Sequence, residues 1–410
     1  TLVDGSIKLL GVPMLSSGSG KAAMEAVLEH LKSWQTDSLV IGMCFDTTAS
    51  NTGRLSGACT LLESAIGRNL LWLACRHHMF EVLLSDAYGV CLGPSTGPEI
   101  SIFKKFKENW PKLLRYQLKP RPTPLIFASD KLKEFIAEQL QLGHPRDDYK
   151  EFLQLAASMI GLNNSSVAAV PIRKPGALHR ARWMAKAIYT MQIEVRFDGD
   201  ESVIKLAARK LQGIQRFNRF VVKVYLQSWF SCRMVADAPV NDILLIQRLH
   251  DYDDLGLQTA GLKMMVRHSW YLSQELATLS LFSQHLSCEE KAKLVSEIKD
   301  DRGLHLVKSL PNSISELTIS RRFFKTTAID DSFLVLPVEE WNNSQSYQIA
   351  CEQIKNLPCV NDCAERGVAL IQNFNATITK DEQQKQFLLQ VVEKHRHDFS
   401  KCNRDNLLDI

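Results

Sequence analysis

An α/β core interrupted by a large all-α insertion is the fold class this sequence predicts, on three observations. Up to about residue 95 short apolar runs alternate with amphipathic helical stretches, which is α/β grammar. From Ser101 to roughly Ile329 only helical periodicity is found, broken by prolines. After residue 330 further amphipathic helices follow. The expected domains are residues 1–95 for the N-terminal part of the core, 96–330 for the helical insertion and 331–410 for the helices that complete the core.

Composition narrows the class. The chain has 410 residues, a formal charge of +4 and 45% apolar residues, enough for two or three cores. A charged fraction of 23% with both signs mixed excludes a disordered tail. A mean hydropathy of -0.12, with no long charge-free apolar run, excludes a membrane span and hence a membrane partner. The ten cysteines are dispersed without regular spacing, which reads as reduced thiols and an intracellular protein. The chain starts at Thr1, and no signal peptide is read in the residues after it.

TLVDGSIKLLGVPML reads as two short strands around Asp4-Gly5, a dipeptide suited to a hairpin turn. A chain that opens inside a hairpin is expected to lack its preceding strand. From Ser19 a helix is predicted with Ala23, Ala26, Val27, His30, Leu31 and Trp34 on its apolar face, ending near Gln35. Ser38 to Phe45 reads as a strand buried on both faces, stopping at Asp46. A second helix carries Leu55, Cys59, Leu62 and Ile66, and Leu70 to Cys75 is a strand that runs into His77 and His78.

In the middle region the breaks fall at residues 119–124, at 171–176 and at Pro311, and Ser287 with Glu290 has capping-box spacing. Near the end, Tyr347, Ala350, Cys351, Ile354 and Leu357 form one stripe and Val360, Ala364, Val368, Ile371 and Phe374 the next. A last helix is expected from a capping box at Thr379 to Glu382. No repeat of fixed period is present.

Several side chains stand out for chemistry. Asp46 closes a strand beside a polar turn, where open α/β sheets place metal-binding acids; with Thr47, Thr48, Ser50 and Asn51 it equally well caps the next helix. Cys75-Arg76-His77-His78 has a Cys and a His within reach of one ion, but no second ligand pair follows at zinc spacing, so Cys75 and His78 are better read as fixing the strand end near Asp46. Gly18 to Ala23 fits a dinucleotide turn formally, and is also an ordinary helix entry. Glu365 lies beside an apolar stripe, and with Asp362 it has capping-box spacing. Arg173, Lys174, His179, Arg180, Arg182 and Lys186 are interleaved with Trp183 and Tyr189 and no acid, a pattern that fits phosphate contacts and base stacking or, alternatively, a solvated helix face.

Asp46 in FDTTASNTG, the Cys75-x-x-His78 pair, a long helical insertion, Trp341 leading a helix and Glu365-Arg366 in NDCAERG occur in an order that resembles the hAT-type transposases. The resemblance covers Ser38 to Cys91 and Trp341 to Leu370. It implies an RNase H-like core, cut by the insertion and lacking its first strand. It also implies a DNA nucleotidyl transferase site in which Asp46 and Glu365 bind Mg²⁺ or Mn²⁺, with a third carboxylate from an opening strand. Asp4 is the only early acid, and its place in a hairpin turn suits that role poorly. The expectation is therefore a transposase-derived DNA-binding protein of the nucleus, with cleavage impaired and no cofactor if it is inactive. Arg173, Lys174, Arg180, Arg182, Trp183 and Lys186 are its candidate DNA contacts, and a homo-oligomer is compatible with it. The other function class carried forward is a non-catalytic protein-interaction scaffold that keeps the fold.

Overall fold

The computed structural model describes residues 10–94 except 12 and 14, 100–113, 124–144, 147–162, 183–196, 206–268 except 233, 273–300, 310–355, 357, 359–360 and 373–398. The hairpin around Asp4-Gly5 and most of the stripe from Val360 to Phe374 lie outside them. Of the described residues 69% are helix and 4% strand, so among them helix packing, not a sheet, supplies most of the core. The expectation of an α/β core is met only as far as one two-stranded parallel sheet. The chain divides into two compact units, one of residues 1–75, 323–333 and 341–410, the other of residues 76–322 and 334–340.

The first unit opens with α1 (Gly20–Ser33), capped by the Ser19 hydroxyl, which accepts the Ala22 N–H at 3.2 Å. α1 stops because Gln35 takes a left-handed φ of 53° and the Thr36 N–H turns back to the Leu31 carbonyl at 2.9 Å. Its buried face matches the expected one at Leu31 but is rotated from the rest of it. Met24 and Leu28 pack with Leu31 against Leu62 and Leu70, while Val27 is 45% exposed. The larger side chains, whose burial removes more apolar area from water, set the rotation of the helix. Gly20 permits the approach of the next segment: a Cβ there would lie 2.3 Å from the Ser56 carbonyl oxygen and 2.4 Å from that of Ser50.

Strand β1 (Gly42–Phe45) is shorter than the expected Ser38 to Phe45, and only Phe45 of it is buried. The short helix α2 (Ala49–Thr52) and α3 (Ala58–Ile66) follow. Leu55, expected on the apolar face of that second helix, lies ahead of α3 and is 87% exposed. Gly67, with φ of 77°, ends α3 in the left-handed conformation that spares glycine a Cβ clash. Strand β2 (Leu71–Ala74) pairs parallel with β1 in the register Gly42 to Leu71 through Phe45 to Ala74. Later in the same unit, Trp341 sits in a 3₁₀ turn (Val338–Asn343) with its ring buried against Phe333 at 5.0 Å and Tyr347 at 5.4 Å. Tyr347, Ala350 and Ile354 form the buried stripe of the helix Gln345–Lys355, whereas Cys351 of the expected stripe is half-buried and Leu357 lies past the end of the helix. The last helix (Glu382–Asp398) is capped by Asp381, whose carboxylate accepts the Gln384 N–H at 2.8 Å, rather than by Thr379.

The second unit is built round α4 (Arg76–Leu92), which buries Arg76, His77, Met79, Phe80, Leu83, Leu84, Ala87 and Tyr88. Residues buried on nearly all sides of a helix mean a central helix. Around it lie α5 (Ser101–Leu113), α6 (Asp130–Gln141), α7 (Asp147–Met159), α8 (Trp183–Arg196), α9 (Ala208–Phe220), α10 (Leu226–Ser231), α11 (Ala238–His250) and α12 (Leu255–His268). A π-helical turn, Val221–Tyr225, joins α9 to α10. The capping box at Ser287 and Glu290 forms as expected. Some polar groups inside this unit pair across helices: Asn218 lies 2.7 Å from both Thr190 Oγ1 and Glu194 Oε2, and Gln192 donates to Glu151 at 2.6 Å.

Among the described residues the most enclosed ion pair is Arg76 to Asp242 at 2.9 Å, with side-chain exposures of 3% and 2%. Burial pushes the Asp242 carboxyl above its ordinary range and outweighs the opposing pull of Arg76. Removing one partner strands a charge in the core. Arg76→Met is expected to cost about 3–5 kcal/mol in urea unfolding, with Arg76→Met/Asp242→Leu recovering most of it. A single-variant loss below about 1 kcal/mol contradicts this.

Candidate functional site

The parallel pair delivers Asp46 to the carboxyl end of β1. The Cys75 N–H donates to the Phe45 carbonyl at 2.8 Å, which closes the sheet one residue before Asp46, and the Phe45 ring stands edge-on to Trp72 at 5.7 Å. This is the end of an open parallel sheet at which ligands are usually met. There the Asp46 Oδ1 accepts the Thr48 N–H at 3.0 Å, the Thr48 hydroxyl at 2.6 Å and the Asn51 amide at 2.8 Å. Thr48, the residue before α2, makes no side-chain cap bond, so the Asp46 side chain holds the turn that starts the helix. Asp46 thus ends the strand and supports the helix entry, which is the capping reading; these bonds do not bear on the metal-binding reading.

Two neighbours complete the electrostatics. Glu63 on α3 accepts the Leu70 N–H at 2.7 Å through Oε1. The Cys59 thiol is pushed up to about 12, first by burial and then by the charges of Glu63 and Asp46, so it is a neutral packing group and not a nucleophile.

Cys75 and His78 do not share a strand. Cys75 is buried just past β2, while His78 lies in the first turn of α4 and belongs to the second unit. The bond at the strand end comes from the Cys75 backbone N–H and does not call on its thiol. His78 is one of the charges that lower the pKa of His268, after burial as the main cause. His77 is a core histidine: its ring stacks on Trp229 at a centroid distance of 3.6 Å, and Nε2 lies 3.2 Å from the Trp229 carbonyl oxygen. Among the described residues no group of three His, Cys, Asp or Glu side chains is placed to hold a metal ion.

Glu365, Arg366 and Asp4 lie outside the described residues, as do Arg173, Lys174, His179, Arg180 and Arg182. Trp183 opens α8. Lys186 is half-buried on that helix and its pKa is lowered by burial, with the Glu81 carboxylate acting against that shift. Tyr189 is buried, edge-on to Phe103 at 5.5 Å. The Gly18 to Ala23 turn serves as the entry of α1, where Ser19 caps and Gly20 admits neighbouring backbone.

Sequence reading passed over one group that the structure makes prominent, the lysines of α5. The available signal was the spacing of Ile102, Phe103, Phe106 and Trp110, which leaves every lysine of that segment on the other side.

The Mg²⁺ or Mn²⁺ implied by the resemblance needs several oxygen ligands. Of the implied set only Asp46 is among the described residues, and one of its oxygens is taken up by three donors. The described residues do not by themselves supply such a site, and no metal-dependent step is derived from them. Comparison with protein-family models, curated proteins and solved structures finds no match.

Because the bonds to Asp46 Oδ1 need an acceptor and not a charge, Asp46→Asn is expected to keep nearly all thermal stability. Asp46→Ala should lose about 1 kcal/mol. Equal losses in both variants would show that the charge itself matters.

Proposed function

We propose that this chain is a transposase-derived DNA-binding protein of the hAT type, which keeps part of an RNase H-like core and binds DNA through its helical unit. The observation that supports the reading is the junction at Asp46: a parallel strand pair, an acid at the carboxyl end of its first strand, a D-x-x-x-x-N turn into a helix, and a long helical region after the second strand. Binding, not cleavage, is the activity proposed, since the carboxylate of Asp46 is engaged in its own turn. On this reading the protein works in the nucleus, and DNA contacts come from a local basic surface because the net charge is only +4. The sequence segment with Arg173, Lys174, Arg180 and Arg182, leading into Trp183, is the first candidate for such contacts.

A second reading, a protein-interaction scaffold, is favoured by Phe387 and Val391, one turn apart on the last helix and 64% and 47% exposed. Salt dependence separates the two. Affinity for duplex DNA should fall steeply with ionic strength, and Arg180→Ala/Arg182→Ala should reduce the slope of log K against log salt by about 0.9 for each phosphate that is no longer neutralised. Absence of salt-dependent DNA affinity in the unaltered protein sinks the DNA reading.

A further inference from the structure

Helix α5 is amphipathic in an uncommon sense, with one face fully apolar and the other almost fully cationic. Ile102, Phe103, Phe106 and Trp110 are buried, and Phe103 seats the helix on α4 through Tyr88 (6.3 Å) and on α8 through Tyr189 (5.5 Å). Lys104, Lys105, Lys107 and Lys112 are all exposed, with Glu108 the one acid of the helix. At about 100° per residue the four lysines and Glu108 fall within an arc of about 160°, opposite the aromatic seat. Four lysines and one acid give the α5 sequence itself a formal charge of +3. Lys105 and Lys112 form no ion pair with any other side chain among the described residues, and Asn109 bonds only the Lys105 carbonyl oxygen.

Such a face suits a linear polyanion. From Lys104 to Lys112 the helix rises about 12 Å, and duplex DNA carries one phosphate per about 3.4 Å of axis on each strand, so three or four phosphates lie within that length. Lysines on exposed stems adapt to phosphate positions as flexible point charges, whereas a bidentate carboxylate site favours arginine. α5 also packs on α8, the helix that begins directly after the basic segment ending at Arg182.

We propose that the lysine face of α5 is a phosphate-backbone contact for duplex DNA, separate from the segment at Arg173 to Arg182. This rests on the DNA-binding reading above and adds a second surface to it. The contact is sequence-independent, because a lysine head that meets a phosphate carries no sequence information.

The test uses the full chain and a labelled duplex, with anisotropy measured over a range of salt concentrations. Lys105→Gln/Lys112→Gln should weaken binding and lower the slope of log K against log salt by about 1.8, while Lys105→Arg/Lys112→Arg leaves both unchanged. Unaltered binding and slope in the Gln variant, with the parent protein binding normally, overturn the α5 proposal and leave the DNA reading standing. No binding by the parent protein overturns both. Equal affinity of the parent for polyglutamate of matched charge overturns the assignment to DNA and gives the face to an acidic protein. Both positions are exposed, and matching thermal midpoints for the Gln and Arg variants exclude unfolding as the cause.

Discussion

The buried pairing of Arg76 with Asp242 constrains much of the packing in the helical unit. Arg76 is the first residue of α4, two past the strand pair, and its guanidinium lies with the Asp242 carboxylate in the core, nearly shut off from water. Two charges held without solvent cost several kcal/mol each to bury, and their attraction repays this only in a fixed geometry. α4 and α11 are thereby tied in one register, and the remaining core of α4 depends on that register: His77 stacks on Trp229, and Tyr88 meets Phe217 edge-on at 5.3 Å. The same packing presents the opposite faces of the outer helices, α5 among them, to solvent.

In the strand-pair unit the corresponding constraint is smaller. One carboxylate oxygen, Asp46 Oδ1, collects three donors from Thr48 and Asn51 and so turns the chain out of β1 into α2. A carboxylate used in this way stays oriented at the end of the sheet, and it is correspondingly less available as a ligand. Both roles weighed for Asp46 draw on this one carboxylate, and its Oδ1 already serves the turn.

Much of the local structure was legible because it depends on neighbours in sequence. The end of α1 near Gln35, the stop of β1 at Asp46, the capping box at Ser287 and Glu290 and the Tyr347, Ala350, Ile354 stripe all rest on contacts within a few residues. What went astray depends on tertiary packing. The face of α1 is chosen by Met24 and Leu28 meeting Leu62 and Leu70. The run from Ser38 is apolar enough for a longer strand, but only Gly42–Phe45 finds a partner in β2. The cap of the last helix moved from Thr379 to Asp381, because Asp381 stands one residue before the first helical position and reaches the Gln384 N–H. For the candidate site, sequence order put Asp46 at a strand end correctly, but it could not show that Cys75 and His78 fall in different units or that Lys186 is half-buried.

The central claim is that DNA is met by the helical unit and not by the Asp46 turn. Hydrogen–deuterium exchange of the full chain, with and without a saturating DNA duplex, tests it most directly. The account predicts slowed exchange in residues 101–113 and 173–186 on binding, with residues 46–52 unchanged. Protection centred on residues 46–52, with none in the helical unit, would contradict it.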